Sequence, residues 1–290
     1  MKTLLKFVLL FFIFSILFVL PNVLIPLHVK MENQSDYNSL MLILLLLTEL
    51  LIILYLIKRL NIWGMKLFLS VLIIFWGLQT FMTQIETWYF REAMHAITDE
   101  ELRNLFLRPL ITSLTFIPLA ILVLGKWKQD TDSSEPHTSA GLNWKEILGL
   151  SIAYVIIYFM FGYFVAWQFE EVRIFYSGSA ENAGFIGQIK QTLQTKNFIF
   201  LFQLLRGFLW IIIGLPIVLY LKGGKSERIV ACVILYSLPA IQLVVDNPFM
   251  PEQVRIAHLL EVVASNGLFG LLIGYFSTRA PKLIYLRKHA

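Results

Sequence analysis

Hydrophobic and polar positions along this chain segregate on the scale of whole segments. Apolar stretches of about 18 or more residues recur from one end to the other, the length a helix needs to cross the hydrocarbon core of a bilayer. Eight spans are read, near residues 7–27, 40–57, 67–87, 107–125, 147–167, 198–221, 228–246 and 256–278. The pattern predicts an all-α, polytopic integral membrane bundle of about eight transmembrane helices. Lys2 and Lys6 precede the first span as they would a signal peptide. Its apolar run of about twenty residues exceeds a signal core, and no A-x-A site follows, so a retained helix is expected.

Two connections carry patterns of their own. In "FREAMHAITDEELRNLF", Thr98 is followed three residues later by Glu101, a capping box. It predicts a short surface helix with Leu102, Leu105 and Phe106 at the membrane and Glu100 and Arg103 in water. Between Trp167 and Asn197, the side chains of Trp167, Phe169, Phe175 and Tyr176 suit an interfacial aromatic belt. Ser179 is expected to cap a further short helix carrying Phe185, Ile186 and Ile189. These two connections either lie on the surface or form a lid over the bundle. The one linker-like stretch, about 126–146, is rich in Ser, Thr, Asp and Pro and divides the spans four and four. No internal repeat is visible, so residues 1–290 are read as one helical-bundle domain.

Composition and charge then narrow the class. Of 290 residues, 58% are hydrophobic and 15% charged, too few polar side chains to clothe a soluble protein of this size. With the N-terminus inside, 15 of the 24 lysines and arginines fall on the cytoplasmic side, and 13 of the 19 acids fall on the outer side or its boundary. That asymmetry is the positive-inside rule. It predicts both termini in the cytoplasm, in a bacterial cytoplasmic membrane. It also assigns the basic balance to anionic lipid rather than to nucleic acid. A single cysteine, Cys232, excludes an internal disulfide. No Walker A, dinucleotide or covalent haem motif is present, which leaves the cofactor open, a divalent metal included.

Polar residues inside the spans hold the candidate chemistry. At 100° per residue, Arg255, His258, Glu261, Ser265 and Asn266 occupy an arc of about 140° on span eight. On span three, Gln79, Thr83 and Glu86 lie within about 60° of one another. Span six offers Gln203 and Arg206, and span seven Gln242 and Asp246, after a kink expected at Pro239. Charges at depth cost about 2.5–3.5 kcal/mol each unless paired or hydrated. All four stripes are therefore expected to face one outward-opening pocket, with Arg206 paired to Glu261, Asp246 or Glu86. Glu49, beside Thr48 in span two, stands apart as a proton-coupling candidate or a partner for Arg206.

Three function classes remain. Ion- or proton-coupled transport of a small anionic solute would use Arg206 for the solute and a carboxylate for the coupling ion, with Pro216, Pro239 and Gly214 for bending. No span reads as broken at its centre, which fits a carrier poorly. The second class is a membrane-embedded hydrolase or protease acting at the outer interface. Its catalytic and metal candidates are Glu86, His258 and Glu261, with His95 or Asp246 as further ligands. Without metal, Glu86 or Glu261 would activate water and Asn266 would donate to the oxyanion. "ETWYFRE", Glu86 to Glu92, resembles over seven residues the E-E-x-x-F-R-G motif of the CAAX-prenyl-protease and bacteriocin-processing membrane protease family, matching at Glu86, Phe90 and Arg91. The resemblance implies intramembrane proteolysis. Thr87 and Glu92 depart from the motif, and the family's F-x-x-x-H and H-x-x-x-N motifs are absent, so membership is not claimed. The third class is a non-catalytic assembly, sensor or immunity-type protein whose outer loops bind a partner.

Overall fold

The computed structural model describes residues 2–26, 28, 37–94, 97–128 and 141–279. His95 and most of the 126–146 linker lie outside them, as do the basic residues after Arg279. Among the described residues the fold is all helical, and eight helices are long and apolar enough to cross a membrane. The chain is a multi-pass membrane protein by the length and composition of those helices.

The elements run α1 (Lys2–Leu24), α2 (Asn38–Arg59), α3 (Gly64–Trp76), a π turn (Gly77–Phe81), α4 (Met82–Phe90), α5 (Asp99–Val123), α6 (Trp144–Phe164), α7 (Glu170–Ser177), α8 (Gly184–Thr195), α9 (Ile199–Tyr220), α10 (Lys225–Ser237), a 3-10 stretch (Leu238–Val244) and α11 (Glu252–Ser277). The exposed large side chains, such as Phe12, Ile16, Ile156 and Leu201, are apolar on the outside of the bundle, as expected where lipid is the solvent. Three spans are not α-helical throughout, the fifth only at its end, in the 3-10 turn Ala166–Gln168. The third carries the π turn, in which the Met82 N–H reaches back to the Gly77 carbonyl. The seventh turns to 3-10 geometry at Leu238, with Pro239 entering that stretch. The π turn in the third span stands against the expectation that no span is broken at its centre. The kink expected at Pro239 falls where the seventh span passes from α to 3-10 geometry.

Glycines let several helices approach closely. A Cβ on Gly270 would lie 2.5 Å from the Cys232 carbonyl oxygen, and one on Gly274 2.7 Å from Ile229 Cα. The spacing G-x-x-x-G thus joins α11 to α10, as small residues do wherever membrane helices pack backbone to backbone. Gly207 meets Ser151 of α6, and Gly77 of the π turn meets Ile213 of α9, in the same way. Away from α7 and α8, the α2–α3 and α9–α10 turns are tied by Asn61 N to Tyr220 O at 2.7 Å and Lys222 N to Arg59 O at 2.8 Å. Arg59 grips Glu227 there with Nε at 2.7 Å and Nη2 at 2.5 Å.

The fourth span differs from its expectation. Thr98 does cap a helix, its Oγ1 accepting from the Glu101 N–H at 3.1 Å. That helix is α5 itself, continuous to Val123, not a separate surface helix. Leu102 is buried, and the Glu101 side chain accepts from the His28 N–H at 2.6 Å instead of closing the box. One turn further, Arg108 donates to the Ile25 carbonyl at 2.6 Å and to Asn22 Oδ1 at 3.0 Å. Together with Leu10 and Phe14 in the core, these bonds dock α1 on α5. Ser179 caps no helix, since α8 begins at Gly184 and its first N–H bonds to Asn182 Oδ1 at 3.1 Å.

Candidate functional site

Arg206 of α9 is the centre of the polar interior. Its side chain is only 3% exposed and its guanidinium carbon lies 5.8 Å from the ring centres of both Tyr154 and Phe202. Nη2 donates to Glu86 Oε2 at 2.6 Å and to the Met82 carbonyl at 3.3 Å, while Nη1 donates to Gln203 Oε1 at 2.9 Å. The π turn just before Met82 adds to the chain's rotation, and so sets where Glu86 points. Of the three partners expected for Arg206, Glu86 is the one observed. Two donors in this buried place, Arg206 Nε and Gln203 Nε2, have no protein partner. An unpartnered buried donor costs about 1–3 kcal/mol, more when charged.

The second group joins α11 to α7. His258 Nδ1 lies 2.8 Å from Glu261 Oε2, and Nε2 lies 3.0 Å from the Tyr176 hydroxyl. With Glu261 ionised, Nδ1 carries the proton and Nε2 is left to accept from the phenol. Tyr176 is held by α7. Val172 packs on Ala166, Val254 and Ala257, and Phe175 lies between that cluster and a second one formed by Met94, Ile97 and Leu102. Gly178, at φ +71°, ends α7 in the left-handed conformation that glycine adopts without steric cost. Tyr176 and Phe175 therefore turn into the protein and do not form a lipid-facing belt. Burial first, then the Glu86 and Glu261 carboxylates, hold the Tyr176 phenol well above its ordinary range. Glu86 acts electrostatically on His258 as well. The Glu86–Arg206 and His258–Glu261 pairs are therefore neighbours.

The other residues of the four stripes fall into separate contacts. Gln79 donates from Nε2 to Glu49 Oε1 at 2.8 Å, and its own carbonyl accepts from Gln242 Nε2 at 2.9 Å. Glu49 is thus held by Gln79, not by Arg206. Gln79 Oε1 and Thr80 Oγ1 are buried without a partner. Thr83 turns its hydroxyl back to the Thr80 and Gln79 carbonyls at 2.8 and 3.1 Å, satisfying backbone groups of the π turn. Asp246 lies beyond the 3-10 stretch and takes Arg255 Nη2 at 2.6 Å, with Arg255 Nη1 on the Leu243 carbonyl at 2.8 Å. That pair fastens the end of span seven to the start of span eight. Ser265 and Asn266 are buried on α11.

Comparison with known proteins gives no lead. No family model, no curated protein and no solved structure matches this chain. Within "ETWYFRE" the two matched charges part company, Glu86 going to Arg206 and Arg91 to Asp99. Among the described residues no group of three His, Cys, Asp or Glu side chains is gathered to hold a metal. Both ring nitrogens of His258 face protein partners. A groove of about 440 Å³ between α6 and α9 is lined by Trp144, Leu148, Leu201 and Leu205, exposed apolar side chains with none of the polar set among them.

Sequence reasoning missed three tyrosines of this interior. Tyr154 and Tyr158 stand on the same face of α6 as Ser151, and Tyr176 follows Val172 and Phe175 on one side of α7. The signal was present as i, i+3, i+7 spacing on α6 and i, i+3, i+4 spacing on α7. It was hidden because tyrosine counts as apolar in a span and as an interfacial anchor in a loop.

Proposed function

We propose that the chain is a carrier of a small anionic solute, coupled to an ion or to protons, in the bacterial cytoplasmic membrane, with both termini cytoplasmic and the α7 side outward. The observation that supports it is the unused pair of donors on Arg206 and Gln203, buried beside a carboxylate. Arg206 already holds one anion, the Glu86 side chain. When Glu86 takes up a proton, its hold on Arg206 weakens, and an oxyanion can take its place on Nη2, Nε and Gln203 Nε2. Charge is conserved because the proton and the anion enter together. Two interrupted spans suit this reading, since irregular backbone at membrane depth is tolerated where it lines a site. π turns, too, recur at functional positions.

The test uses the full chain in liposomes with an entrapped pH dye and outward nitrate, sulfate, phosphate or lactate as probes. Uptake of one probe together with protons, lost in Arg206→Ala and reduced in Glu49→Gln, is the expected result. Absence of uptake for every probe in wild-type protein sinks the carrier. The hydrolase reading keeps one supporting observation, the hydroxyl–imidazole–carboxylate line of Tyr176, His258 and Glu261, whose order is that of an activated nucleophile. Turnover of a membrane-interface peptide or ester, with a covalent adduct on Tyr176, would favour that reading instead.

A further inference from the structure

Two hydrogen bonds, 3.0 Å and 2.8 Å long, connect the lid to a carboxylate inside the bundle through one imidazole. Both fall within the distance over which protons pass between positioned groups, about 2.6–3.2 Å. The line begins on α7, at the lid, and ends on α11 at Glu261. The titratable and charged groups that act on it from other helices are Tyr154 and Tyr158 of α6, Glu86 of α4 and Arg206 of α9. Glu261 Oε1 lies 3.7 Å from the place a Cβ on Gly162 would occupy, so a glycine on α6 leaves the carboxylate room.

We infer that Tyr176, His258 and Glu261 form a proton relay from the lid to the Glu86–Arg206 site. This rests on the transport reading and makes the proton its coupling ion. A proton from water binds the phenol oxygen of Tyr176 as its own O–H proton passes to His258 Nε2. The Nδ1–H proton passes in turn to Glu261. One proton has then moved inward, the phenol is neutral again, and the imidazole is neutral in its other tautomer. Glu261 is then left as a neutral carboxyl inside the bundle, on the side of His258 away from α7. A swing of the ring to water at the lid and back resets the tautomer. Tyr176 is a relay member because its hydroxyl takes the proton first. The apolar side chains packed around it on α7 keep water from bypassing the line.

The experiment has two arms. Solid-state spectra of the full chain with ¹⁵N-labelled histidine, in lipid bilayers, identify His258 by the signal lost in His258→Gln. The expected result is a neutral ring protonated at Nδ1, with its tautomer balance changed in both Tyr176→Phe and Glu261→Gln. A His258 signal unmoved by either substitution overturns the relay. In liposomes, Tyr176→Phe slows probe-driven proton uptake roughly tenfold, about the effect of 1.4 kcal/mol on a barrier. Proton uptake at the wild-type rate in that variant also overturns it. If wild-type protein moves none of the probes, the carrier fails, and the spectra decide the relay separately.

Discussion

Two arginine–glutamate pairs sit at opposite ends of the bundle and behave differently. Arg59 and Glu227 are 39% and 32% exposed and meet through two parallel bonds, and Arg59 Nη2 also donates to the Lys222 carbonyl at 3.3 Å. Tyr55 adds a hydroxyl to the same carboxylate at 3.4 Å. Arg206 is 3% exposed, meets Glu86 through one bond, and keeps Nε without a partner. The first pair is a clasp between two turns, partly open to solvent and held by several bonds. The second is incomplete in a place where incompleteness is expensive. The difference separates a contact that holds helices together from one with capacity to spare for a ligand.

The comparison breaks most directly at Arg206. Arg206→Gln leaves Glu86 beside no cation and is expected to cost about 3–5 kcal/mol. Arg59→Gln, at a partly exposed pair, is expected to cost about 1 kcal/mol or less. Unfolding in detergent measures both, and equal costs would erase the distinction. The paired replacement Arg206→Met with Glu86→Leu sharpens it further: stability near wild type with probe uptake abolished marks the pair as functional.

Next in size is the glycine seam. Gly270→Ala puts a methyl against the Cys232 carbonyl and is expected to cost about 1–3 kcal/mol by overpacking, seen as a lower melting temperature. Tyr176→Phe should remove about 1 kcal/mol and speed amide exchange along residues 170–177, with little change elsewhere. The smallest effect concerns the Lys196–Glu92 ion pair. The Lys196 ammonium holds the Glu92 carboxylate below its usual 4.5. A lowered carboxylate stabilises above its unfolded value and loses that contribution as pH falls through the folded one. Amide protection near residues 90–93, corrected for the intrinsic pH dependence of exchange, should therefore fall as pH drops below about 4.5 and stay flat above it.

Span number and type were legible because twenty apolar residues in a row leave a chain few alternatives. Polar stripes were legible for the same reason, since Glu86, Arg206, His258 and Glu261 cannot face lipid. Which carboxylate meets Arg206 was not, because three were candidates and only helix rotation and packing decide among them. The single surface helix expected at Thr98 failed because Leu102 and Glu101 found burial against neighbours, turning a cap into the start of a span. Tyr176 was placed in a lipid belt because its inward partners come from α11, 82 residues away in sequence.

The π turn at Gly77–Phe81 has a last consequence. A π turn holds one residue more than the α-helix it interrupts. Each residue of helix turns the chain by about 100°. Removing a single residue between Gly77 and Phe81 would restore a regular helix and swing Glu86 about a quarter turn away from Arg206. Gln79, within the turn, and Glu86, beyond it, would then no longer address their present neighbours together. A carboxylate within reach of that arginine is thus recorded in the length of span three as much as in the identity of residue 86, and a one-residue deletion there would silence the site while leaving every polar residue in place.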